Sequence, residues 1–155
     1  MISKTIHASA VLVGARAVLI RGPSGSGKSR LALELIETAR SGSLLFARLV
    51  ADDRVHLGSA HGRLLARPAA ALAGLIEVRG VGLMRFMHEP SAVVGLVVDL
   101  AAADTQRLPD AASRRTEIDG IELPRLAVAS GWAALPTLLA FINSVPDSWI
   151  NSAPG

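Results

Sequence analysis

Eight consecutive residues near the start of the chain have the types and spacing of a phosphate-binding loop. The stretch GPSGSGKS follows the apolar run AVLIR and precedes a segment with helical spacing. It fits the pattern GxxxxGK[ST], in which glycines let successive backbone N–H groups converge on phosphate oxygens. We expect Lys28 to contact the β- and γ-phosphates and the Ser29 hydroxyl to bind Mg²⁺. The predicted nucleotide-binding residues are Gly22, Pro23, Ser24, Gly25, Ser26, Gly27, Lys28 and Ser29.

A Gly- and Ser-rich turn that only resembles such a loop is the alternative interpretation. The positive end of the following helix favours phosphate binding. Lys28 is also one of only two lysines among 16 basic residues. The lysine ammonium is a compact point charge, and the planar guanidinium group of arginine cannot replace it at such a site. Nucleotide binding is therefore the strongest prediction from the residues alone.

Two adjacent acids, Asp52 and Asp53, follow the apolar stretch LVA at a predicted strand end. Nucleoside triphosphatases need an acid near Mg²⁺, usually at the end of a neighbouring core strand. Adjacent strand residues point to opposite sides of a sheet. We therefore expect one carboxylate to hold Mg²⁺ through water and the other to accept a proton from an incoming hydroxyl. A solvated Asp-Asp turn is the alternative.

Two further residues are candidates for the site because of their positions in the sequence. Glu77 is a charge within the otherwise apolar stretch IEVRGVG, which makes it a second candidate metal ligand unless it pairs with Arg79. His7 lies two residues before an apolar strand. A single histidine in such a place is more often structural than catalytic, and the four histidines have no metal-site spacing.

The composition predicts one globular domain and excludes several classes of site. Half of the 155 residues are hydrophobic, and the absence of cysteine excludes disulfides, thiolate metal sites and catalytic thiols. The net charge of +3 comes from scattered arginines without an aromatic platform, which argues against nucleic-acid binding. There is neither a convincing signal peptide nor an apolar run of membrane-spanning length. We expect a cytoplasmic protein with no membrane partner.

The periodicity predicts an α/β fold, with a mixed β-sheet and flanking helices. One catalytic domain is expected over residues 1–150, followed by a frayed tail at 151–155. The polar segment DTQRLPDAASRRTEIDG is predicted to be a loop. Predicted strands are SAVLVG, AVLIRG, residues 44–51, residues 75–78, SAVVGLVVDLA and IELPRLAVA, and predicted helices are SRLALELIETAR and WAALPTLLAFINSV.

Taken in chain order, these motifs resemble those of the bacterial HPr kinase/phosphorylase family, in its C-terminal catalytic domain. The resemblance consists of His7 before a strand, then GPSGSGKS, LVADDRV and IEVRGVG, and it weakens after Leu83. Members of this family transfer phosphate from ATP to a serine of the phosphocarrier protein HPr, and many also remove it by phosphorolysis. The resemblance implies a fold like that of phosphoenolpyruvate carboxykinase, with ATP and Mg²⁺ as cofactors. It also implies HPr or a paralogue as partner, and a homo-oligomer in the form of a hexamer.

The resemblance also implies roles for single residues. Asp53 would be the base that takes the serine proton, and His7 would assist near that carboxylate. Lys28 would act on the phosphates. Ser29 and Glu77 would ligate Mg²⁺, and together with Asp52 of the acidic pair they are the candidate metal ligands. Arg107, in QRLPD, matches an arginine that family members carry in a similar segment, and it would steady the γ-phosphate or the acceptor loop.

Three departures from the family pattern define the alternatives. The regulatory N-terminal domain is not part of this sequence, so no sensing by that domain is expected. Arg30 stands where the family usually has an acid, and VASGWAALP replaces the Pro- and Arg-rich stretch associated with phosphorolysis. The reverse reaction is therefore left open. The alternative function is a nucleotide-binding switch with little or no transfer activity. A small-molecule kinase is a third possibility, but the sequence has no lid-like arginine cluster.

Overall fold

The computed structural model describes residues 4–44 and 46–144. The predicted tail at 151–155, and the predicted end of the last helix at Val145, lie outside these residues. Within the described part the chain forms the helices α1 (Lys28–Arg40) and α2 (Ala134–Ser144). The strands are β1 (Lys4–Ile6), β2 (Ser9–Val13), β3 (Arg16–Arg21), β4 (Ala47–Ala51), β5 (Val55–Ala60), β6 (Arg63–Pro68), β7 (Leu75–Val78), β8 (Gly82–Arg85), β9 (Ala92–Leu100), β10 (Arg115–Ile118) and β11 (Ile121–Val128).

Most strands join one mixed sheet, as the sequence predicts. Seven of them follow the order β1-β5-β6-β9-β3-β2-β4, and the β10–β11 hairpin joins through β11 to β9. Strand β9 is parallel to both β3 and β11, while the other pairings of this sheet are antiparallel. The carboxyl ends of β3, β9 and β11 therefore meet at one edge. The glycine-rich loop leaves β3 at this edge, where α/β sheets usually bind ligands. Strands β7 and β8 form a separate two-stranded sheet.

Both faces of the sheet are covered, which explains the unbroken apolar run of β9. Successive β3 residues alternate between the faces: Val18 and Ile20 pack with α1 and α2, while Leu19 packs with side chains of β5 and β6. On its inner side α1 places Leu31 and Leu35 against the sheet. No helix among the residues that the structure describes is both long enough and apolar enough to cross a membrane.

The structure corrects the prediction that residues 104–120 form only a loop. Their last part is β10, which turns into β11 through Asp119 and Gly120. These two residues have φ values of 50° and 79°, the left-handed pair that a two-residue hairpin turn needs. An Asp-Gly dipeptide is a hairpin signal, but the polar residues before it obscured the signal. Helix α2 also begins at Ala134, two residues later than predicted.

Candidate active site

The glycine-rich loop connects β3 directly to α1. Gly25 and Gly27 have φ values of 80° and 100°, so these glycines permit a backbone that other residues adopt only with strain. Gly27 caps α1 without a side-chain hydrogen bond. The first N–H groups of a helix have no partner within the helix, and they favour an anion at that end. Among the residues that the structure describes, the buried Ser26 Oγ also has no hydrogen-bond partner. These groups fit a phosphate ligand.

Lys28 is held inside this loop by the loop's own carbonyl groups. The residue is only 7% exposed, and its Nζ donates to Gly22 O at 2.8 Å and to Pro23 O at 3.0 Å. A buried ammonium requires such acceptors. Because the group has three N–H donors, two carbonyl partners leave one donor for a phosphate oxygen. The lysine is thus fixed where the motif requires it.

Asp52 joins the end of β4 to the start of α1. Its carboxylate is buried and accepts hydrogen bonds from Ser29 Oγ, at 2.8 Å to Oδ1 and 2.9 Å to Oδ2. Ser9 Oγ of β2 donates to Oδ1 at 2.6 Å, and the Glu77 backbone N–H lies 3.4 Å from Oδ2. Among residues 4–44 and 46–144, Asp52 forms no ion pair. A buried carboxylate with only neutral donors is well suited to a cation.

The chemistry of this donor set fits Mg²⁺ bound together with phosphates. Magnesium prefers hard oxygen ligands, and proteins commonly hold it with one or two carboxylates while substrate phosphates and water complete the shell. Ser29 and Asp52 supply such oxygens. The part of the chain that the structure describes has no group of three or more acids or histidines placed to hold a metal alone. Ser29 and Asp52 therefore fit part of a Mg²⁺ shell that phosphates and water complete.

Asp53 faces a different partner from Asp52. Strand β4 has already ended at Ala51, and Asp53 adopts a left-handed φ of 69°, which aspartate tolerates better than most residues. The pairing of Ile6 with Val55 brings β1 alongside the start of β5. His7 Nε2 then lies 2.6 Å from Asp53 Oδ1. Both side chains are about half exposed, so this carboxylate is open to an incoming substrate.

Glu77 lies on the separate β7–β8 hairpin beside these residues. Its backbone N–H points at Asp52, while its side chain is exposed. Among the described residues Glu77 forms no ion pair with Arg79, the alternative that the sequence left open. The hairpin contacts α1 through its buried Ile76. Glu77 is thus near the phosphate loop, with a carboxylate not engaged by that arginine.

Arg107 is the one predicted site residue that no contact joins to the others. It is exposed in the segment after β9, and within residues 4–44 and 46–144 it takes part in no hydrogen bond or ion pair. Its predicted role at the γ-phosphate or acceptor loop remains a prediction.

Sequence reasoning missed a second polar cluster at the same edge of the sheet. Arg21 and Asp99 stand near the ends of β3 and β9, and Arg125 stands within β11. Asp99 accepts hydrogen bonds from both arginines. Burial raises the pKa of Asp99, but the hydrogen bonds and charges of the two arginines outweigh burial and hold it below its ordinary value. The signal was available: each is a charge that ends or interrupts an apolar strand.

The glycine-rich loop between a strand and a helix is the arrangement of α/β proteins that carry a P-loop. The sequence profile described as HPr Serine kinase C-terminal domain matches residues 2–130, and the chain belongs to this family. The HPr kinase/phosphorylases of Streptococcus thermophilus and Streptococcus sanguinis are each 33% identical to it over 135 residues, which cover 80% of this chain and 41% of theirs. The chain thus spans about two fifths of these curated relatives, in agreement with the predicted C-terminal domain.

A solved structure, that of the Hpr(Ser) kinase/phosphatase from Coxiella burnetii, has the same fold. It superposes with a TM-score of 0.72 at 24% identity, covering 90% of this chain and 88% of that one. The predicted α/β class and mixed sheet with flanking helices are therefore confirmed.

Proposed function

We propose that this chain is an ATP-dependent protein-serine kinase whose acceptor is the phosphocarrier protein HPr or a paralogue. Family membership supports this class of activity. The observation that carries the proposal is that two adjacent acids have different hydrogen-bond partners. Asp52 hydrogen-bonds Ser29 of the phosphate loop, while Asp53 is exposed beside His7. A phosphate loop and an accessible carboxylate base are the two parts that phosphoryl transfer to an alcohol needs.

In the proposed reaction the acceptor serine oxygen attacks the γ-phosphorus of ATP. Asp53 takes the hydroxyl proton, and the bond between the γ-phosphorus and the bridging oxygen breaks, with its electron pair leaving on ADP. His7 Nε2–H donates to Asp53 and fixes the orientation of this carboxylate. Lys28 and the first N–H groups of α1 stabilise the charge on the phosphates. In reverse, Asp53 would return the proton.

Ser29, Asp52 and Glu77 are the residues that would hold Mg²⁺. When bound, the ion would neutralise phosphate charge. Arg30 does not occupy the space between these three residues. Its side chain is 82% exposed and lies 3.6 Å from Glu34 on the outer surface of α1.

The proposal includes the predictions about the whole molecule. One catalytic domain spans residues 1–150, followed by the tail at 151–155, in a cytoplasmic homo-oligomer. Arg107 steadies the γ-phosphate or the acceptor loop. Phosphorolysis is left as an outcome of the experiment, because VASGWAALP stands where family members carry the stretch associated with it.

Incubation with γ-labelled ATP, Mg²⁺ and purified HPr tests the proposal. We expect label on a serine of HPr, and the Asp53→Asn variant should lose this transfer while it retains ATP binding. Tight ATP binding without labelled HPr would favour the switch. A second incubation, of phosphorylated HPr with inorganic phosphate, tests phosphorolysis. Full activity of the Asp53→Asn variant would remove Asp53 as the base.

A further inference from the structure

One arginine side chain, that of Arg125, joins both ends of the segment that connects β9 to β10. We name this segment, residues 101–114, the connecting loop. The guanidinium donates two parallel hydrogen bonds to Asp104, at 2.7 and 2.9 Å, near the start of the loop. Nη1 also donates to the Ser113 carbonyl at 3.0 Å, near the end of the loop. Such a bidentate arginine–carboxylate pair is strong and geometrically specific.

The same guanidinium is tied to the base of the phosphate loop. Its Nε donates to Asp99 Oδ2 at 2.6 Å, and Asp99 accepts two further hydrogen bonds from Arg21, at 2.7 and 2.8 Å. Arg21 directly precedes Gly22, the first residue of the phosphate loop. The Arg125 side chain is only 12% exposed, so solvent weakens these bonds little. A continuous series of charged hydrogen bonds therefore runs from the phosphate loop to the connecting loop.

The backbone brings the two loops together as well. A Cβ atom at Gly22 would lie 3.1 Å from the Leu100 carbonyl oxygen, so the glycine allows the phosphate loop to lie directly on the end of β9. The connecting loop then starts at Ala101, whose φ of 54° is left-handed. The Ala102 N–H donates to Val128 O of β11 at 3.1 Å. The connecting loop thus leaves the sheet against the phosphate loop, and it carries Arg107.

We propose that Arg125 is a positioning residue for phosphoryl transfer, which holds the connecting loop beside the phosphate loop through Asp104, Ser113 and Asp99. This inference rests on the proposed kinase function. The role of Arg125 is indirect, because its guanidinium donates four hydrogen bonds to acceptors in the connecting loop and the sheet. What it supplies is a fixed path for the segment that contains Arg107.

A purely structural role would give a different set of effects. Asp104 is 54% exposed, and Arg125 keeps its hydrogen bonds to Asp99 and Ser113 when the Asp104 charge is removed. Its removal should therefore free the connecting loop without unfolding the domain. The Arg115–Glu122 ion pair, on the neighbouring β10–β11 hairpin, provides a matched control that lies outside the connecting loop.

The experiment compares the wild-type chain with Asp104→Asn, Arg125→Lys and the control Glu122→Gln. Transfer of phosphate from ATP to HPr gives kcat, nucleotide titration gives the Kd for ATP, and limited trypsin digestion measures cleavage after Arg107. We expect Asp104→Asn and Arg125→Lys to lower kcat by about tenfold or more, since small displacements of a site segment reduce rates strongly. The Kd for ATP should stay within about twofold, because the phosphate loop keeps its own contacts. Cleavage after Arg107 should rise in both variants, whereas Glu122→Gln should match the wild type in kcat and in cleavage.

Three results would overturn the inference. The first is a loop that becomes more easily cleaved in Asp104→Asn without loss of kcat. The second is unchanged cleavage in this variant. The third is an equal loss of kcat in Glu122→Gln. If Arg125→Lys does not fold, the kcat and the cleavage of Asp104→Asn alone test the inference. A wild-type chain that transfers no phosphate would overturn the proposed function instead, and the cleavage experiment would still report whether Arg125 and Asp104 hold the loop.

Discussion

Two aspartates with little exposure to water lie near the same edge of the sheet, and their surroundings are opposite. Asp99 accepts hydrogen bonds from two arginines, so its charge is fully balanced by its neighbours. Asp52 accepts from the hydroxyl groups of Ser9 and Ser29, and among the described residues it has no ion-pair partner. Both carboxylates are largely removed from water, but within residues 4–44 and 46–144 only that of Asp99 forms ion pairs.

This difference supports a structural role for Asp99 and the proposed role of Asp52 in Mg²⁺ binding. A buried charge is unfavourable unless an opposite charge accompanies it. Asp99 has that charge permanently, so it stabilises the junction of three strands. Asp52 has no such partner in the part of the chain that the structure describes, so its carboxylate is unpaired by charge beside the phosphate loop. A cation that arrives with a nucleotide would balance it. The comparison therefore makes predictions that differ for the two aspartates.

The largest expected effect lies on the phosphate side of the comparison. Lys28→Met keeps an unbranched chain of similar length but removes the ammonium group. We expect HPr phosphorylation to fall by about a thousandfold, since preorganised charge at the phosphates is the main catalytic contribution in such sites. The control is Arg30→Met, on the exposed surface of α1, which should leave the rate within about threefold. Equal losses in the two variants, measured by transfer assays, would contradict the assignment.

The second prediction contrasts the stabilities of Asp99→Asn and Asp52→Asn. Removal of the Asp99 charge leaves two partly buried arginines uncompensated on that side, so we expect the free energy of unfolding to fall by about 3 kcal/mol. Asp52→Asn removes an unbalanced charge while an amide can still accept from Ser29. Its stability should therefore change by less than about 1 kcal/mol. Urea denaturation measures both. A larger loss in Asp52→Asn would reverse the comparison.

The third prediction concerns pH. The folded chain holds the pKa of Asp99 below its ordinary value of 3.8, because the arginine hydrogen bonds and charges outweigh the opposing effect of burial. A lowered pKa contributes stability that is fully present above the unfolded pKa and is lost as pH falls through the folded one. The stability difference between wild type and Asp99→Asn should thus be constant from pH 7 to about pH 5 and shrink below about pH 4. Urea titrations at these pH values measure it. A difference that grows in acid would show that the two arginines do not lower this pKa.

A smaller loss of stability than that of Asp99→Asn is expected at Ser9, a donor that sequence reasoning missed. Ser9→Ala removes one hydrogen bond from the buried Asp52 carboxylate. We expect the free energy of unfolding to fall by about 1–2 kcal/mol, since the carboxylate keeps its Ser29 partner. Glu122→Gln, in an exposed ion pair, should change it by at most about 0.5 kcal/mol. Thermal melting of both variants measures the difference. A Glu122→Gln variant less stable than Ser9→Ala would contradict this prediction.

The sequence predicted those features that depend on local patterns. The glycine-rich loop between a strand and a helix, α1 and the end of β4 at Ala51 are each encoded within a short stretch, and all three occur where expected. The pairing of His7 with Asp53 depends instead on the register of β1 against β5. The two residues are 46 positions apart in the sequence. The Asp99–Arg125 pair depends on β9 lying beside β11. Long-range pairings of this kind are not visible in one sequence, and the resemblance to a family supplied only the first of them.

The central claim is that the two adjacent aspartates divide the work, with Asp52 serving Mg²⁺ and Asp53 the acceptor proton. The most direct measurement determines ATP affinity, with and without Mg²⁺, and the rate of HPr phosphorylation in Asp52→Asn and Asp53→Asn. We predict that Asp52→Asn loses the Mg²⁺ dependence of ATP binding, whereas Asp53→Asn keeps it and loses transfer. Equal loss of Mg²⁺-dependent binding in both variants, or transfer that persists in Asp53→Asn, would contradict this division.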